Sequence, residues 1–527
     1  MKNLKLATVN AKYFYTRAIE SVRSNSLSKA VAAVVLIALG LRAWGIRFGL
    51  PNLYHPDEWA VFDRALAMMR TGDFNPHDFI YPTVYMYMQL AWLVVSFFYG
   101  VSKGLYTNVS DVNVVDLYLW GRFLTALVGA LTVYVTYLTG KELFGRKAGL
   151  LSALLLTFSF LHLRDSHYIT VDVPAVFFLS LSLFFAARIL RTGEIFDYSM
   201  SGLFAGLSIA TKWNAFPVIF SFVAAYFIRS FENQKLEGRI FYAFLFLAVG
   251  LFIGTPYAFL NLPIFLSSVG GVLTHYRGGH VGFEASKPYI FYIKNLSSSE
   301  GMGAAVFAAV AVGLLLSLIR HKKEDFFLIV FPLLYYAFIS RSKVTFPRNT
   351  LPLYAVLPLY GGIFLAQLSD FSKRLFEGRS RRLGLVMFGF ALTLVIALPV
   401  VRVIQFDVAS AGKDTRTLSG RWIEENLPHG SKIAAEFYGP PISGNFEVVK
   451  IPFLEHSPEW FREQEFDYVV FDSADHGRFF VEPEVYPEQV KHYQRLFKLG
   501  KIVKRYDSDK SVELFLSPEI LIAEMKK

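Results

Sequence analysis

The sequence predicts a polytopic α-helical membrane protein of about eleven transmembrane helices with a C-terminal extracytoplasmic α/β domain. Three observations predict it. Hydrophobic residues make up 54% of the 527. Twelve apolar segments are long enough, or nearly so, to cross a bilayer. After residue 405 the apolar runs give way to short strand-like and helical stretches separated by turns.

Taken in order, residues 1–29 carry Lys2, Lys5, Lys12, Arg17, Arg23 and Lys29 ahead of an apolar run with no small-residue cleavage site, the pattern of an uncleaved anchor. The apolar segments fall at about 28–47, 82–100, 118–139, 148–162, 173–191, 199–213, 215–229, 240–260, 301–319, 325–340, 347–368 and 383–404. Beyond them, Thr415–Asn426 and Glu488–Phe497 read as helices, and Lys432–Tyr438, Tyr468–Asp472, Ile502–Tyr506 and Val512–Leu516 as strands. The expected division is a membrane domain, 1–405, and a soluble domain, 406–527.

Charge decides orientation. If all twelve segments crossed from a cytoplasmic N-terminus, Lys141, Arg146 and Lys147 would face outward, and so would Lys373, Arg374, Arg379, Arg381 and Arg382, against the positive-inside bias. The segment 82–100, with Tyr81 beside it and with Tyr85, Tyr87, Trp92, Phe97, Phe98 and Tyr99, is rich in amphipathic aromatics that favour the interface. Laid against the outer leaflet, it reverses the parity of everything after it. About 22 Lys/Arg then lie inside and about 11 outside. Eleven spans result, with 48–117 as a large first external loop. Residues 162–172, a turn near Lys212, 261–300, 341–347 and the chain after 405 are external as well.

The net charge of +11 sits in short loops between apolar segments, which sets orientation and speaks against a nucleic-acid partner. There are no cysteines, so disulfide and thiolate chemistry are excluded.

The polar residues that remain fall on the external face. In Tyr54-His55-Pro56-Asp57-Glu58-Trp59, two carboxylates sit where a span has ended and a surface helix begins at Pro56, with Trp59, Phe62, Leu66 and Met69 at helical spacing. The plain reading is that both acids complement the helix dipole. A second island, His162 to Asp172, holds Arg164, Asp165, His167 and Asp172 at the bilayer edge, where a charge is costly unless paired or functional. A structural pair between Arg164 and Asp172 is its plain reading. A third, Ser340 to Thr350, places Arg341, Lys343 and Arg348 at the outer end of a span, where an anion is expected to compensate them and general lipid headgroups are the plain alternative. Lys212, Arg122, His275, Arg277 and His280 are lesser candidates, since basic residues near span ends more often snorkel. A carboxylate that takes a proton from a hydroxyl, beside arginines that stabilise a departing phosphate, is the chemistry of group transfer from a lipid phosphate.

These residues, with Gly121 to Leu127, Lys141 to Gly145, Gly206 to Lys212 and Phe346-Pro347-Arg348-Asn349 ahead of Leu351-Pro352-Leu353, resemble the GT-C class of membrane glycosyltransferases. Within it they are similar to the protein O-mannosyltransferases and lipid A aminoarabinose transferases that use polyprenyl-phosphate sugars. The resemblance covers essentially the whole chain. It implies inverting transfer of a sugar from a polyprenyl-phosphate donor to an acceptor hydroxyl of a glycan, lipid or protein. Asp57 would be the general base and Glu58 would orient the acceptor or hold a polar network. Arg164, His167, Arg348 and Lys343 are expected at the donor phosphate, with His55, Asp172, Lys212 and Arg122 in support. It also implies a juxtamembrane 82–100. The chain departs from related enzymes at Ile80-Tyr81-Pro82, where they often have Lys before the proline, and at Arg348-Asn349, where they have an Arg-Tyr pair.

Two other readings compete. A transporter or flippase would bind the headgroup phosphate with the same cations and make no bond. A divalent-metal site would use His55, Asp57, Glu58, Asp165 and His167 as ligands.

Overall fold

Each apolar segment folds as helix, because backbone N–H and C=O groups in hydrocarbon find partners only within the chain. The computed structural model describes residues 28–108, 111–377, 380–481, 483–508 and 517–525. Helix α1 covers 28–43. It is followed by α2 (Trp59–Thr71), α3 (Val84–Ser102), α4 (Val114–Phe144), α5 (Arg146–Thr157), α6 (Phe160–Asp165), α7 (Asp172–Ile189) and α8 (Ile195–Ile209). After a 3-10 turn at Trp213–Val218 come α9 (Ile219–Asn233), α10 (Ile240–Gly254), α11 (Pro256–Leu260), α12 (Leu262–Gly278), α13 (Pro288–Ser297), α14 (Ala304–Arg320) and α15 (Lys323–Ile339). A second 3-10 helix, Pro347–Ala355, leads into α16 (Leu357–Leu375), and α17 (Arg381–Ala411) ends the apolar part.

Among the described residues five helices are long and apolar enough to cross a membrane, or six if Pro347–Ala355 and α16, bent by 52°, form one span. Helix α3 is one of the five by length and composition. Two further apolar helices, α10 and α14, are shorter than a full span. The stretch 261–300, read as a loop, contains α12 and α13.

Helices α8 and α10 cross closely because their contact surfaces are small. A Cβ on Gly202 would lie 1.9 Å from the Ala243 carbonyl oxygen, and one on Gly206 2.3 Å from that of Leu247. Gly202 and Gly206 are four apart, the spacing that lets membrane helices touch backbone to backbone.

Helix α2 starts later than expected. Pro56 and Asp57 form a turn and Glu58 caps the helix, so neither acid is in its first turn. Its buried stripe includes Val61, Phe62, Ala65, Leu66 and Met68, packed with Tyr85, Met86 and Leu93 of α3 and Leu117, Tyr118 and Leu124 of α4, whereas Trp59 is exposed.

The C-terminal part opens with α18 (Thr415–Asn426), then β1 (Lys432–Ala435), β2 (Glu447–Lys450), α19 (Pro458–Glu463), β3 (Tyr468–Asp472), α20 (Ser473–Val481), α21 (Pro487–Leu496), β4 (Gly500–Tyr506) and β5 (Ile520–Met525). The sheet order is β2-β1-β3-β5-β4, with β1 parallel to β2 and β3, and β5 antiparallel to β3 and β4. Alternation along β3 sends Val469 and Phe471 to one core with Phe479, Tyr493 and Leu496, and Val470 to the other with Ile433 and Ile522. Strands β2 and β5 and helices α19 and α20 were not expected from the sequence. The strand expected at 512–516 lies outside the described residues.

Among the described residues this domain meets the preceding helices around Tyr54 and around Gly282. The Tyr54 hydroxyl lies 2.8 Å from Thr417 Oγ1 with Arg416 stacked 3.9 Å from its ring centre, and the Gly282 N–H donates to the Tyr486 hydroxyl at 3.0 Å.

Candidate active site

The turn before α2 sends its two acids in opposite directions. Asp57 faces a cavity of about 200 Å³ and is paired there with Arg348. Both side chains keep some exposure, 27% and 23%. Burial alone would raise the Asp57 carboxyl, but the Arg348 guanidinium, followed by His55 and Lys212, outweighs it and holds Asp57 below the usual carboxylate range.

Glu58 points inward. Its oxygens accept from Arg122 Nε at 2.8 Å and Nη2 at 2.6 Å, and Oε1 also accepts from the Ile169 N–H at 3.0 Å. Arg122 Nη1 donates to the Ile46 and Phe48 carbonyls at 2.8 and 2.6 Å. Burial opposes the Glu58 charge, yet Arg122 holds this carboxyl too below its ordinary value. The pair ties together α4, the turn after α1 and the 162–172 island, and it leaves Glu58 outside the cavity wall.

The wall includes His55, Asp57, Arg164, Asp165, Tyr168, His280, Phe346, Arg348, Tyr438 and Arg478. Four of the expected residues therefore converge: His55 and Asp57 from the first polar island, Arg164 from the second and Arg348 from the third. Arg348 is aimed by its own loop. Thr345 N–H donates to the Phe283 carbonyl at 2.8 Å, and the Arg348 guanidinium lies 4.7 Å from the Phe346 ring centre. Arg164 makes its ion pair with Asp165, at 2.8 Å. Burial pushes the Asp165 carboxyl up against the pull of Arg164. His55 stacks on Tyr168, ring centres 4.2 Å apart, and its Nδ1 accepts from the Asp57 N–H at 3.3 Å. Burial lowers the His55 pKa, against the pull of the neighbouring Asp57 and Glu58 carboxylates.

Other expectations are corrected. Asp172 forms an ion pair with Lys212, at 2.5 Å, because the start of α7 faces the turn after α8. His167, expected at the phosphate, is buried with Nε2 2.8 Å from the Trp44 carbonyl and 3.3 Å from Asp407 on α17. Lys343 is exposed and does not line the cavity. Arg122 supports the site through Glu58. The metal-ligand set does not assemble, since Glu58 and His167 are turned to Arg122 and Asp407. Among the described residues no three His, Asp or Glu side chains are grouped to hold an ion. Tyr168, Tyr438 and Arg478 are wall residues the sequence reading did not single out. Arg478 lies more than a hundred residues after Arg348, inside a pattern that reads only as soluble helix.

Residues 117–257 match the model of the dolichyl-phosphate-mannose-protein mannosyltransferase family. An uncharacterized protein of Aquifex aeolicus is 24% identical over 329 residues, a match that spans 60% of each chain. The apo oligosaccharyltransferase of Archaeoglobus fulgidus superposes with a TM-score of 0.53 at 15% identity, over 87% of this chain and 71% of that one. The archaeal oligosaccharyltransferase AglB from the same organism, in complex with an inhibitory peptide and a dolichol-phosphate, gives 0.52 at 14%, over 92% and 73%. ArnT from Cupriavidus metallidurans bound to undecaprenyl phosphate gives 0.51 at 13%, over 95% and 98%. The fold is thus that of the GT-C membrane glycosyltransferases, and the resemblance read from the residues is borne out.

Proposed function

We propose that the chain is an inverting GT-C-type glycosyltransferase that moves a sugar from a polyprenyl-phosphate donor to an acceptor hydroxyl at the outer face of the membrane. The observation that carries this reading is the meeting of Asp57 with Arg348 in a cavity that Arg164 also lines. The family match and the lipid phosphates held by the structural relatives support the donor class.

Asp57 accepts the acceptor's hydroxyl proton as its oxygen attacks the anomeric carbon. The bond from that carbon to the phosphate oxygen breaks, and polyprenyl phosphate leaves with the electron pair. Arg348 and Arg164 stabilise the charge that grows on the leaving oxygen through charge-assisted hydrogen bonds. Glu58 and Arg122 hold the Asp57 turn in place. Lys212 and Asp172 stand behind it. The orientation that goes with this reading has a cytoplasmic N-terminus, with the cavity and the soluble domain outside. The acceptor is a glycan, lipid or protein.

The test is incubation of the purified chain with a panel of polyprenyl-phosphate sugars and candidate acceptors, read by mass. Appearance of glycosylated product together with polyprenyl phosphate is expected. Binding of donors with no bond cleavage across the panel would refute the reading in favour of a transporter.

A further inference from the structure

The topology of the soluble domain directs its ligand-binding end at the cavity. The chain leaves β1 for β2 on one side and comes back to β3 on the other, so the strand order reverses between β1 and β3. In open α/β sheets, ligands bind beyond the carboxyl ends of the strands at such a reversal. Two segments leave those ends here: Glu436 to Tyr438 after β1, and α20 after β3. Tyr438 and Arg478, one from each, are the residues this domain adds to the cavity wall.

The crevice is built from buried groups. Glu436 accepts from the Tyr493 hydroxyl at 2.6 Å and lies 2.9 Å from His476 Nδ1, and the Tyr438 N–H donates to Asp475 at 2.8 Å. Arg478 Nε donates to the Ala474 carbonyl at 3.1 Å, and the guanidinium lies 5.4 and 5.5 Å from the ring centres of Tyr438 and Phe453. Gly282 packs so close to the stem of Arg478 that a Cβ would sit 2.4 Å from the arginine's own. The loop that carries His280 is thereby held against α20.

The charges on the wall also point to an anion. Three arginines line it, Arg164, Arg348 and Arg478, against two aspartates, Asp57 and Asp165. Each aspartate is already in contact with one arginine, Asp165 with Arg164 and Asp57 with Arg348. Burial lowers the pKa of both His55 and His280, which disfavours their charged forms. Asp475, one turn before Arg478, is pushed up to about 6 by burial and by Glu436, and it is not one of the wall residues. Arginines outnumber aspartates on this wall, a composition that suits an anionic ligand.

We infer that Arg478 binds the phosphate of the lipid-linked substrate, with the Tyr438 ring holding its guanidinium in place, so that the soluble domain completes the substrate site. This rests on the donor class proposed above.

The experiment measures binding of undecaprenyl phosphate, and separately of inorganic phosphate, to the full chain in detergent, with melting curves to confirm folding. Arg478→Gln is expected to weaken undecaprenyl phosphate roughly 10- to 100-fold, the value of a charge-assisted hydrogen bond. Arg478→Lys, which keeps the charge and loses the fork, should recover part of it. Lys501→Gln, which removes an exposed cation outside the cavity, should change nothing. Equal binding by wild type and Arg478→Gln overturns the inference and leaves the donor reading standing. No binding by wild type overturns the donor reading itself. Weakening of inorganic phosphate alone overturns the assignment to a lipid-borne phosphate and moves it to a phosphorylated acceptor. Should Arg478→Gln fail to fold, Arg478→Lys carries the test, and undiminished binding by it together with undiminished binding by Arg478→Ala refutes the role.

Discussion

The adjacent acids Asp57 and Glu58 should fail in opposite ways. Glu58→Gln keeps the size of the side chain and removes its charge, leaving Arg122 buried with no anion. The pair is 1% and 0% exposed, and Glu58 also accepts the Ile169 N–H. Breaking a buried pair from one side costs about 3–5 kcal/mol, against a total stability on the order of 5–15 kcal/mol. Asp57→Asn disturbs a pair that is 27% and 23% exposed, so its stability cost is about 1 kcal/mol or less. Its loss should appear in rate, by about 10²- to 10⁴-fold, the usual contribution of a general base. The assay is a melting curve in detergent beside turnover of a polyprenyl-phosphate sugar, for wild type and both variants. A Glu58→Gln protein that melts with wild type, or an Asp57→Asn protein that loses stability while its turnover stays within tenfold, would refute the assignment. The double variant Glu58→Leu/Arg122→Met removes both charges and should be more stable than Glu58→Leu alone, as coupling through one buried pair requires.

Because the folded-state Asp57 carboxyl lies below its unfolded value, its stabilising contribution is present above the unfolded value and is lost as pH falls through the folded one. The acid limb of kcat/KM, which reports the free enzyme, should accordingly fall below about 3.9, the ordinary Asp value; Arg348→Gln should move that limb upward, and an unmoved limb would remove Arg348 as the cause. Lys212→Met strands Asp172, whose side chain is 4% exposed, and should lower stability by about 3 kcal/mol or more in a melting curve. Gly206→Val places a side chain 2.3 Å from the Leu247 carbonyl oxygen and should destabilise by about 1–3 kcal/mol, whereas Gly271→Ala on α12, with nothing within 4 Å of the new Cβ, should melt with wild type.

The legible parts of the site were those where a residue's type contradicts its surroundings. Asp57, Arg164 and Arg348 stand out because ionisable groups at the outer ends of apolar segments need a reason to be there. What could not be read was the choice of partner. Asp57 and Glu58 give the same local signal, and only the turn ahead of α2 separates them, one toward Arg348 and the other toward Arg122. His167 and Asp172 looked equally functional, but their partners, Asp407 and Lys212, are fixed by how α17 and the turn after α8 pack. In the C-terminal sheet domain Tyr468–Asp472 was legible as a buried β-branched and aromatic run. Glu447–Lys450 is a four-residue edge strand with charged ends, too short for a period to declare itself.

The resting pairs on the cavity wall bear on how transfer would be kept from becoming hydrolysis. Asp57 and Asp165 relieve part of the mutual repulsion of arginines gathered in one cavity by sitting against Arg348 and Arg164. That relief has a consequence for the base. While Arg348 stays on Asp57, the carboxylate is held as a weak proton acceptor, and a water molecule reaching it gains little activation. A donor phosphate competes for the same guanidinium, and as Arg348 turns toward it the carboxyl rises toward its ordinary range and becomes a better base. On this reading kcat, which reports the donor-bound enzyme, should show its acid limb at higher pH than kcat/KM. Coincident limbs would mean that Arg348 remains on Asp57 throughout and that the two substrates are not coupled through this pair.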